Sequence, residues 1–291
     1  MTPAEAAKAG IKSLVIGTAA VGGAIPKEWH LTLLEAVRLG MDIVAGVHTR
    51  LADFDFLREA AEKSGSRLVD VRTPPASVPV GTGRKRSGLR LLTVGTDCSI
   101  GKKFTALALE RALREQGMSV DFRASGQTGI MIAGQGIPID SVVADFLSGA
   151  AELLSPDNQS GHWDVIEGQG GIFHPGYAAV THGLLLGSQP DAFVVCHEPG
   201  RETITGWPDY QTPSVEEVIE RTIAIGSLTN PAIRCVGVSL FCSKLSGEQR
   251  KVVREETTAR TGLPCVDPHM DGVAPIIERL LAEFPAIENN N

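Results

Sequence analysis

The chain has 291 residues, 43% of them hydrophobic and 21% charged, a balance that places it among globular proteins with room for two domains. Its net charge of −7 is unevenly divided: residues 1–88 carry 12 Lys and Arg against 9 Asp and Glu, and residues 89–291 carry 15 against 25. So acidic a second half excludes a nucleic-acid binder, which needs a basic footprint, and no apolar run approaches the roughly 18 residues of a membrane span.

The first stretch, Ser13 to Ala24 after Lys12, has the length of a signal-peptide core. Gly17, Gly22 and Gly23 interrupt it, so it reads as a strand running into a glycine turn, and the protein as cytoplasmic. That turn, GTAAVGG from Gly17 to Gly23, lacks the G-x-G-x-x-G spacing of a dinucleotide site. Strand and helix signals then alternate: strand from Lys12 to Gly17, helix from Trp29 to Leu39, strand from Asp42 to Val47, helix from Phe54 to Lys63, strand from Arg67 to Val71. Such alternation predicts a parallel sheet covered by helices. Next comes Thr73 to Gly88, TPPASVPVGTGRKRSG, whose Pro, Gly and basic residues interrupt the pattern and mark a linker.

Six apolar runs follow, Leu91 to Val94, Val120 to Ala124, Val165 to Glu167, Ala192 to Cys196, Cys235 to Leu240 and Pro264 to Asp267, before a polar tail, Glu288 to Asn291. The division expected is α/β throughout: one parallel-sheet domain over 1–80, a linker over 81–89 and a second domain with a mostly parallel sheet over 90–291. Five cysteines, Cys98, Cys196, Cys235, Cys242 and Cys265, form an odd count without C-x-x-C spacing, which predicts reduced thiols.

The most informative segment is Leu91 to Leu113, LLTVGTDCSIGKKFTALALERAL. An apolar run stops at a Gly-rich turn, meets a Gly-Lys pair and continues into a helix that is apolar to Leu109, charged from Glu110 and stopped at Gly117. Turn amides, the positive end of the helix dipole and Lys102 converge on one anion, so Gly95, Thr96, Asp97, Cys98, Ser99, Gly101, Lys102 and Lys103 are the candidate phosphate-binding residues. Two departures from the usual phosphate loop stand out. Five residues instead of four separate Gly95 from Gly101, and Lys103 replaces the hydroxyl that would ligate magnesium. A second ammonium there favours a metal-free pyrophosphate, and no metal is expected.

In open α/β sheets, ligands collect beyond the carboxyl ends of the strands. The run WDVIEGQGGIFHPG (Trp163 to Gly176) ends a strand on Glu167 and follows it with Gly168, Gly170 and Gly171, placing a carboxylate in the crevice of the phosphate loop. Glu167 is the first candidate for a catalytic base and His174 the second, with His182 a weaker one. Arg123 to Gly129, RASGQTG, reads as a Gly-framed turn that offers Gln127 and Thr128 to a polar substrate. The fourth strand delivers His197, Glu198, Gly200, Arg201 and Glu202, where Arg201 is suited to a bidentate contact with a carboxylate.

With these residues in view, the chain resembles the D-glutamate N-acetyltransferase family. The resemblance is carried by GTDCSIGKKFTALALE (Gly95 to Glu110), SGQTGIMIAGQGIPIDSVVADFLSGAAE (Ser125 to Glu152) and IEGQGGIFHPGYAAVTHGLL (Ile166 to Leu185). It implies a Rossmann-like domain followed by a P-loop NTPase-like domain, and acetyl transfer from acetyl-CoA to the amine of D-glutamate. The chain departs from the family at its start, where members carry a further strand and helix ahead of the region matching Met1. On that reading the loop holds the CoA phosphates, Glu167 or His174 takes the amine proton, amides at 168–171 stabilise the oxyanion, and Gln127, Thr128 and Arg201 receive the substrate carboxylates. The expected partner is a small-molecule substrate, with neither nucleic acid nor membrane, and the expected state a homo-oligomer. The first and third motifs also resemble dethiobiotin synthetase, which implies an ATP-dependent ligase or kinase with Glu167 and Asp97 on magnesium. A nucleotide switch without catalysis is the third alternative, and Lys103 weighs against both nucleotide readings.

Overall fold

The computed structural model describes residues 1–18 and 23–285. Most of the glycine turn read from Gly17 to Gly23, and all of the tail from Glu288 to Asn291, lie outside those residues. A short helix, α1 (Pro3–Lys8), is capped by Thr2 and Glu5 in a reciprocal box and leads into β1 (Ser13–Ile16). Then α2 (His30–Arg38), β2 (Asp42–Ala45), α3 (Asp55–Ser64) and β3 (Leu68–Asp70) complete a parallel three-stranded sheet of order β1-β2-β3. Leu33 and Val37 of α2, Ile43 of β2 and Leu57 of α3 fill its core, because each element turns one apolar face inward.

The second sheet has six strands, all paired in parallel, in the order β11-β10-β7-β4-β6-β5. In chain order its elements are β4 (Leu89–Gly95), α4 (Lys102–Glu115), β5 (Val120–Arg123), α5 (Gln127–Ala133), α6 (Leu147–Leu154), β6 (Trp163–Ile166), α7 (Ala178–Ser188) and β7 (Ala192–His197). A two-stranded antiparallel ribbon, β8 (Thr203–Ile204) with β9 (Trp207–Gln211), precedes α8 (Val215–Gly226), β10 (Arg234–Leu240), α9 (Gly247–Thr261), β11 (Cys265–Val266) and α10 (Ala274–Glu283). Neighbouring residues of one strand serve opposite faces. Leu91, Val165 and Val194 pack with Leu109, Leu113 and Ile277 of α4 and α10, whereas Leu92, Ile166 and Val195 pack with Leu147, Leu184 and Val218 of α6, α7 and α8. Both faces are covered, which is why these strands read as continuous apolar runs.

Residues 71–88 contain neither strand nor helix, yet the segment read as a linker is clamped onto the second sheet. Lys85 pairs with Asp191 at 2.7 Å, and the buried Arg86 donates to the carbonyls of Ser155 (2.7 Å) and Gly187 (2.8 Å). Its composition forbids a ladder but supplies donors for the uncapped carbonyls at the amino end of the sheet. Nearer the first domain, Arg72 pairs with Asp140 at 2.8 Å and donates to Gln127 Oε1 at 3.1 Å, so it ties that domain to α5. The turn expected from Arg123 to Gly129 differs too. After β5 the chain makes a short connection and enters α5 at Gln127, with Gly126 as its N-cap.

Candidate active site

β4 stops at Gly95, and the loop of residues 96–101 leads straight into α4. Thr96 N donates to Cys196 O at 3.1 Å and Thr96 Oγ1 meets His197 Nδ1 at 3.0 Å, which fixes the root of the loop to β7. Burial, then Arg260 and Arg201, push His197 down to about 4, so it is a neutral partner there. Ser99 and Gly101 adopt left-handed backbone (φ 53° and 97°), turning the chain back onto the helix start. Lys102, the first residue of α4, is buried, and its Nζ donates to Asp97 O at 2.6 Å across the loop. Burial holds its pKa below the ordinary lysine value. Partly desolvated, with the helix dipole behind it, this ammonium binds an anion more strongly than a surface lysine does.

Glu167 follows β6 and is 3% exposed. Its Oε2 accepts from Ser125 N and Gly126 N, both at 3.0 Å, so the carboxylate caps the connection that enters α5. A side chain at Gly129 would collide with that carboxylate, which explains the glycine in the first turn of α5. Burial pushes the Glu167 pKa above its usual range, while the two amides and the nearby Lys103 and Lys102 oppose the rise. A desolvated carboxylate of this kind is a stronger base than one on the surface. Together the loop, the start of α5 and the residues after β6 enclose a cleft of about 430 Å³ whose lining includes Cys98, Ser99, Gly101, Lys102, Lys103, Gln127, Thr128 and Glu167.

The remaining candidates lie beside this cleft. Gly95, Thr96 and Asp97 form the root of the loop and do not line it. Asp97 Oδ1 accepts from Cys98 N at 2.6 Å, and Oδ2 accepts from Arg201 (2.6 Å) and from Thr205 N and Oγ1 (both 2.9 Å). Burial works against the charge on Asp97, but Arg201, Thr205 and Cys98 N hold its pKa below the ordinary value. Arg201, expected to receive a substrate carboxylate, instead donates to Asp97, Cys98 O and Thr205 Oγ1 and pairs with Glu198. Its donors are taken up in bracing the loop. Gly168, expected among the oxyanion donors, gives its amide to Thr93 Oγ1 at 2.9 Å.

His174 is 1% exposed, with Trp207 edge-on at 4.6 Å and Tyr177 at 4.5 Å between ring centroids. Its Nδ1 accepts from Gly176 N at 3.1 Å, and its Nε2 lies 3.8 Å from Asp97 Oδ1 with no hydrogen-bond partner among the described residues. Burial lowers its pKa despite the attraction of Asp97. His182 meets Ala178 O at 2.7 Å within α7, a structural contact.

Three participants escaped the sequence reading. Arg72 shows no local signal, being an isolated basic residue. The side chain of Gln169, which lines the cleft and donates to Ser125 Oγ at 3.1 Å, is a single polar group between glycines and carries no spacing signal of its own. The β8–β9 ribbon, which supplies Thr205 to Asp97 and Trp207 to His174, was legible as T-I-T-G-W, where Gly206 takes a positive φ of 85° in the turn. Among the described residues, two groups offer three potential metal ligands within 4.8 Å of one another, Asp97 with Cys98 and His174, and Asp121 with His162 and Asp164. In the second, Arg123 already pairs with both carboxylates. No helix among the described residues is long and apolar enough to cross a membrane.

Residues 79–277 match the DUF1611 P-loop domain, described as a domain of unknown function, and residues 1–74 match the Rossmann-like domain of the same family. A D-glutamate N-acetyltransferase from Pseudoalteromonas sp is 50% identical over 276 residues, covering 95% of this chain and 83% of the relative. Another D-glutamate N-acetyltransferase, from Tritonibacter scottomollicae, is 45% identical over 282 residues, with 97% and 85% covered. The crystal structure of a DUF1611 family protein from Anabaena variabilis superposes with a TM-score of 0.88 at 34% identity, covering 97% of this chain and 82% of that one. The chain belongs to the DUF1611 family, and its α/β fold joins a Rossmann-like domain to a P-loop domain.

Proposed function

We propose that this DUF1611 member transfers an acetyl group from acetyl-CoA to the amine of D-glutamate. Two relatives named for that activity, at 50% and 45% identity over nearly the whole chain, support the reaction. The observation within the molecule that supports it is the placement of Glu167 in one cleft with Lys102 and Lys103. The attacking amine must be neutral, and Glu167, desolvated and held by two amides, is the proposed base. His174, away from the cleft lining and without a free lone pair on Nδ1, is proposed to position the loop residues instead.

The loop is the proposed anion seat. An α-amino acid bears its carboxylate on the carbon that bears the amine, so an amine at Glu167 brings a carboxylate within reach of Lys102 and Lys103. A CoA pyrophosphate, the other anion that suits the loop, lies a full pantetheine arm from its thioester. The geometry favours the carboxylate, with Gln127 and Thr128 completing its contacts. Asp97 has both oxygens engaged, which speaks against its service to magnesium in a ligase. The division at 1–80, 81–89 and 90–291, a cytoplasmic location and a homo-oligomeric state belong to the same proposal, the last testable by sedimentation.

The deciding assay mixes the purified protein with acetyl-CoA and D-glutamate in EDTA and follows N-acetyl-D-glutamate by mass spectrometry. Formation of that product with release of free CoA is expected. Absence of product, or its appearance only with ATP and magnesium, removes the reading.

A further inference from the structure

One thiol in the cleft has no part in the mechanism above. Of the five cysteines, Cys196, Cys235, Cys242 and Cys265 are buried, and burial pushes Cys235 and Cys265 up to about 12 and Cys242 up to about 11, where thiolate is scarce. Cys98 is half-buried and lines the cleft with Glu167. Its Sγ, an Asp97 carboxylate oxygen and a His174 ring nitrogen lie within 4.8 Å of one another. The second observation is independent: His174, 1% exposed, keeps its Nε2 unpartnered in that same group. Because Nδ1 accepts the Gly176 amide, the ring proton sits on Nε2, a donor without a bonded acceptor. Trp207 and Tyr177 prevent the ring from turning elsewhere.

Resting on the acetyl-transfer reading, we propose that Cys98 is a catalytic nucleophile and carries the acetyl group as a thioester between donor and amine. In the first half, Cys98 Sγ bonds to the acetyl carbon, the bond from that carbon to the CoA sulfur breaks, and the proton of the Cys98 thiol ends on CoA. In the second, the amine nitrogen bonds to the acetyl carbon, the bond to Cys98 Sγ breaks, and the amine proton passes through Glu167 back to the Cys98 sulfur. No oxidant, reductant or metal enters the balance. The thiolate in each half is supported by Lys102 and by the amino end of α4, and a ring nitrogen of His174 lies within 4.8 Å of the sulfur. Burial and the neighbouring Asp97 carboxylate raise the resting thiol above its ordinary value, and Lys102 and Arg201 oppose that rise. His174, outside the cleft lining, is a positioning residue, and Cys98 lies among the lining residues immediately before the sharp turn at Ser99, with φ of 53°.

The test uses the intact protein with acetyl-CoA and no amino acid. Mass spectrometry of its peptides is expected to find one acetyl group on Cys98, discharged on adding D-glutamate, and labelled CoA is expected to exchange into acetyl-CoA without an acceptor. Cys98→Ala loses the label and the exchange, and the wild-type exchange needs no variant to fold. Transfer to D-glutamate without exchange, with Cys98→Ala as active as wild type, overturns the proposal and leaves the acetyl-transfer reading standing. Acetyl-Cys98 with exchange but no N-acetyl-D-glutamate supports the proposal and removes D-glutamate as the acceptor. Acetylation of another residue in place of Cys98 also overturns it.

Discussion

The two ends of the six-stranded sheet both bury charged side chains against desolvation, and they differ in how fully the chain itself pairs them. At the amino end, Arg90 is 1% exposed, and its guanidinium donates to Ser155 Oγ and to the carbonyls of Arg86, Ser87, Gly88 and Pro156. Ser155 Oγ in turn donates to Asp164 at 2.6 Å, and Asp191 accepts Arg90 N at 2.9 Å. At the carboxyl end, Glu167 and Lys102 are desolvated against their charge, and His174 Nε2 has no partner among the described residues. Burial lowers the pKa of Arg90 as well, so both ends hold charge against desolvation. Every donor of the Arg90 guanidinium is satisfied within the chain, whereas His174 Nε2, unpaired among the described residues, keeps interaction energy in reserve.

The largest expected effect separates the two ends by turnover. Glu167→Gln keeps the shape and can still accept from Ser125 N and Gly126 N, but it cannot take a proton. Steady-state kinetics should show kcat lower by about two to four decades with substrate binding nearly intact. Survival of full activity would move the base elsewhere and dissolve the contrast.

At the opposite end, Arg90→Ala should act on stability alone. Removing one member of a buried charged network costs about 3–5 kcal/mol, readable as a fall in the urea midpoint, while kcat and KM of the folded fraction stay unchanged. A loss below about 1 kcal/mol would show that the amino-end network contributes no more than surface pairs do.

A smaller effect sharpens the assignment of the anion seat. Lys102→Ala deletes a charge-assisted contact worth roughly 1.5–3 kcal/mol, so one KM should rise by about ten- to a hundredfold. The geometry expects the rise for D-glutamate. A rise for acetyl-CoA alone would give the loop to the CoA phosphates.

The smallest effect concerns pH. Burial raises the folded-state pKa of Glu167 above its unfolded value, so its contribution to stability is fully present below the ordinary carboxylate range and is lost as pH rises through the raised value. Glu167→Gln removes the buried charge and should therefore raise Tm relative to wild type at neutral pH. That advantage should shrink towards zero as pH falls below the ordinary glutamate value. A variant that is less stable at neutral pH than at pH 4, relative to wild type, contradicts the desolvation argument.

Much of this contrast was legible in the sequence wherever its cause is local. The parallel architecture followed from apolar runs alternating with helical periodicity, and each of the six runs from Leu91 to Asp267 corresponds to a strand of the sheet. The Gly-Lys turn and the glycines after Glu167 announced a site for the same reason, since each lies within one short window. The roles of Arg86, Arg201 and Arg72 were not legible. Arg86 lies in the stretch whose composition marks a linker, but its partners are 69 and 101 residues away. Arg201 looked available to a substrate until Asp97, 104 residues earlier, was found to hold it, and Arg72 meets Gln127 across 55 residues. A charged side chain reads alike in the sequence whether it faces water, a ligand or a buried partner, because its energy depends on burial and on acceptors that chain folding brings from afar. The sequence by itself therefore determined which chemistry was present and on which strand ends, while the tertiary structure decided which charges are neutralised internally and which are left to act.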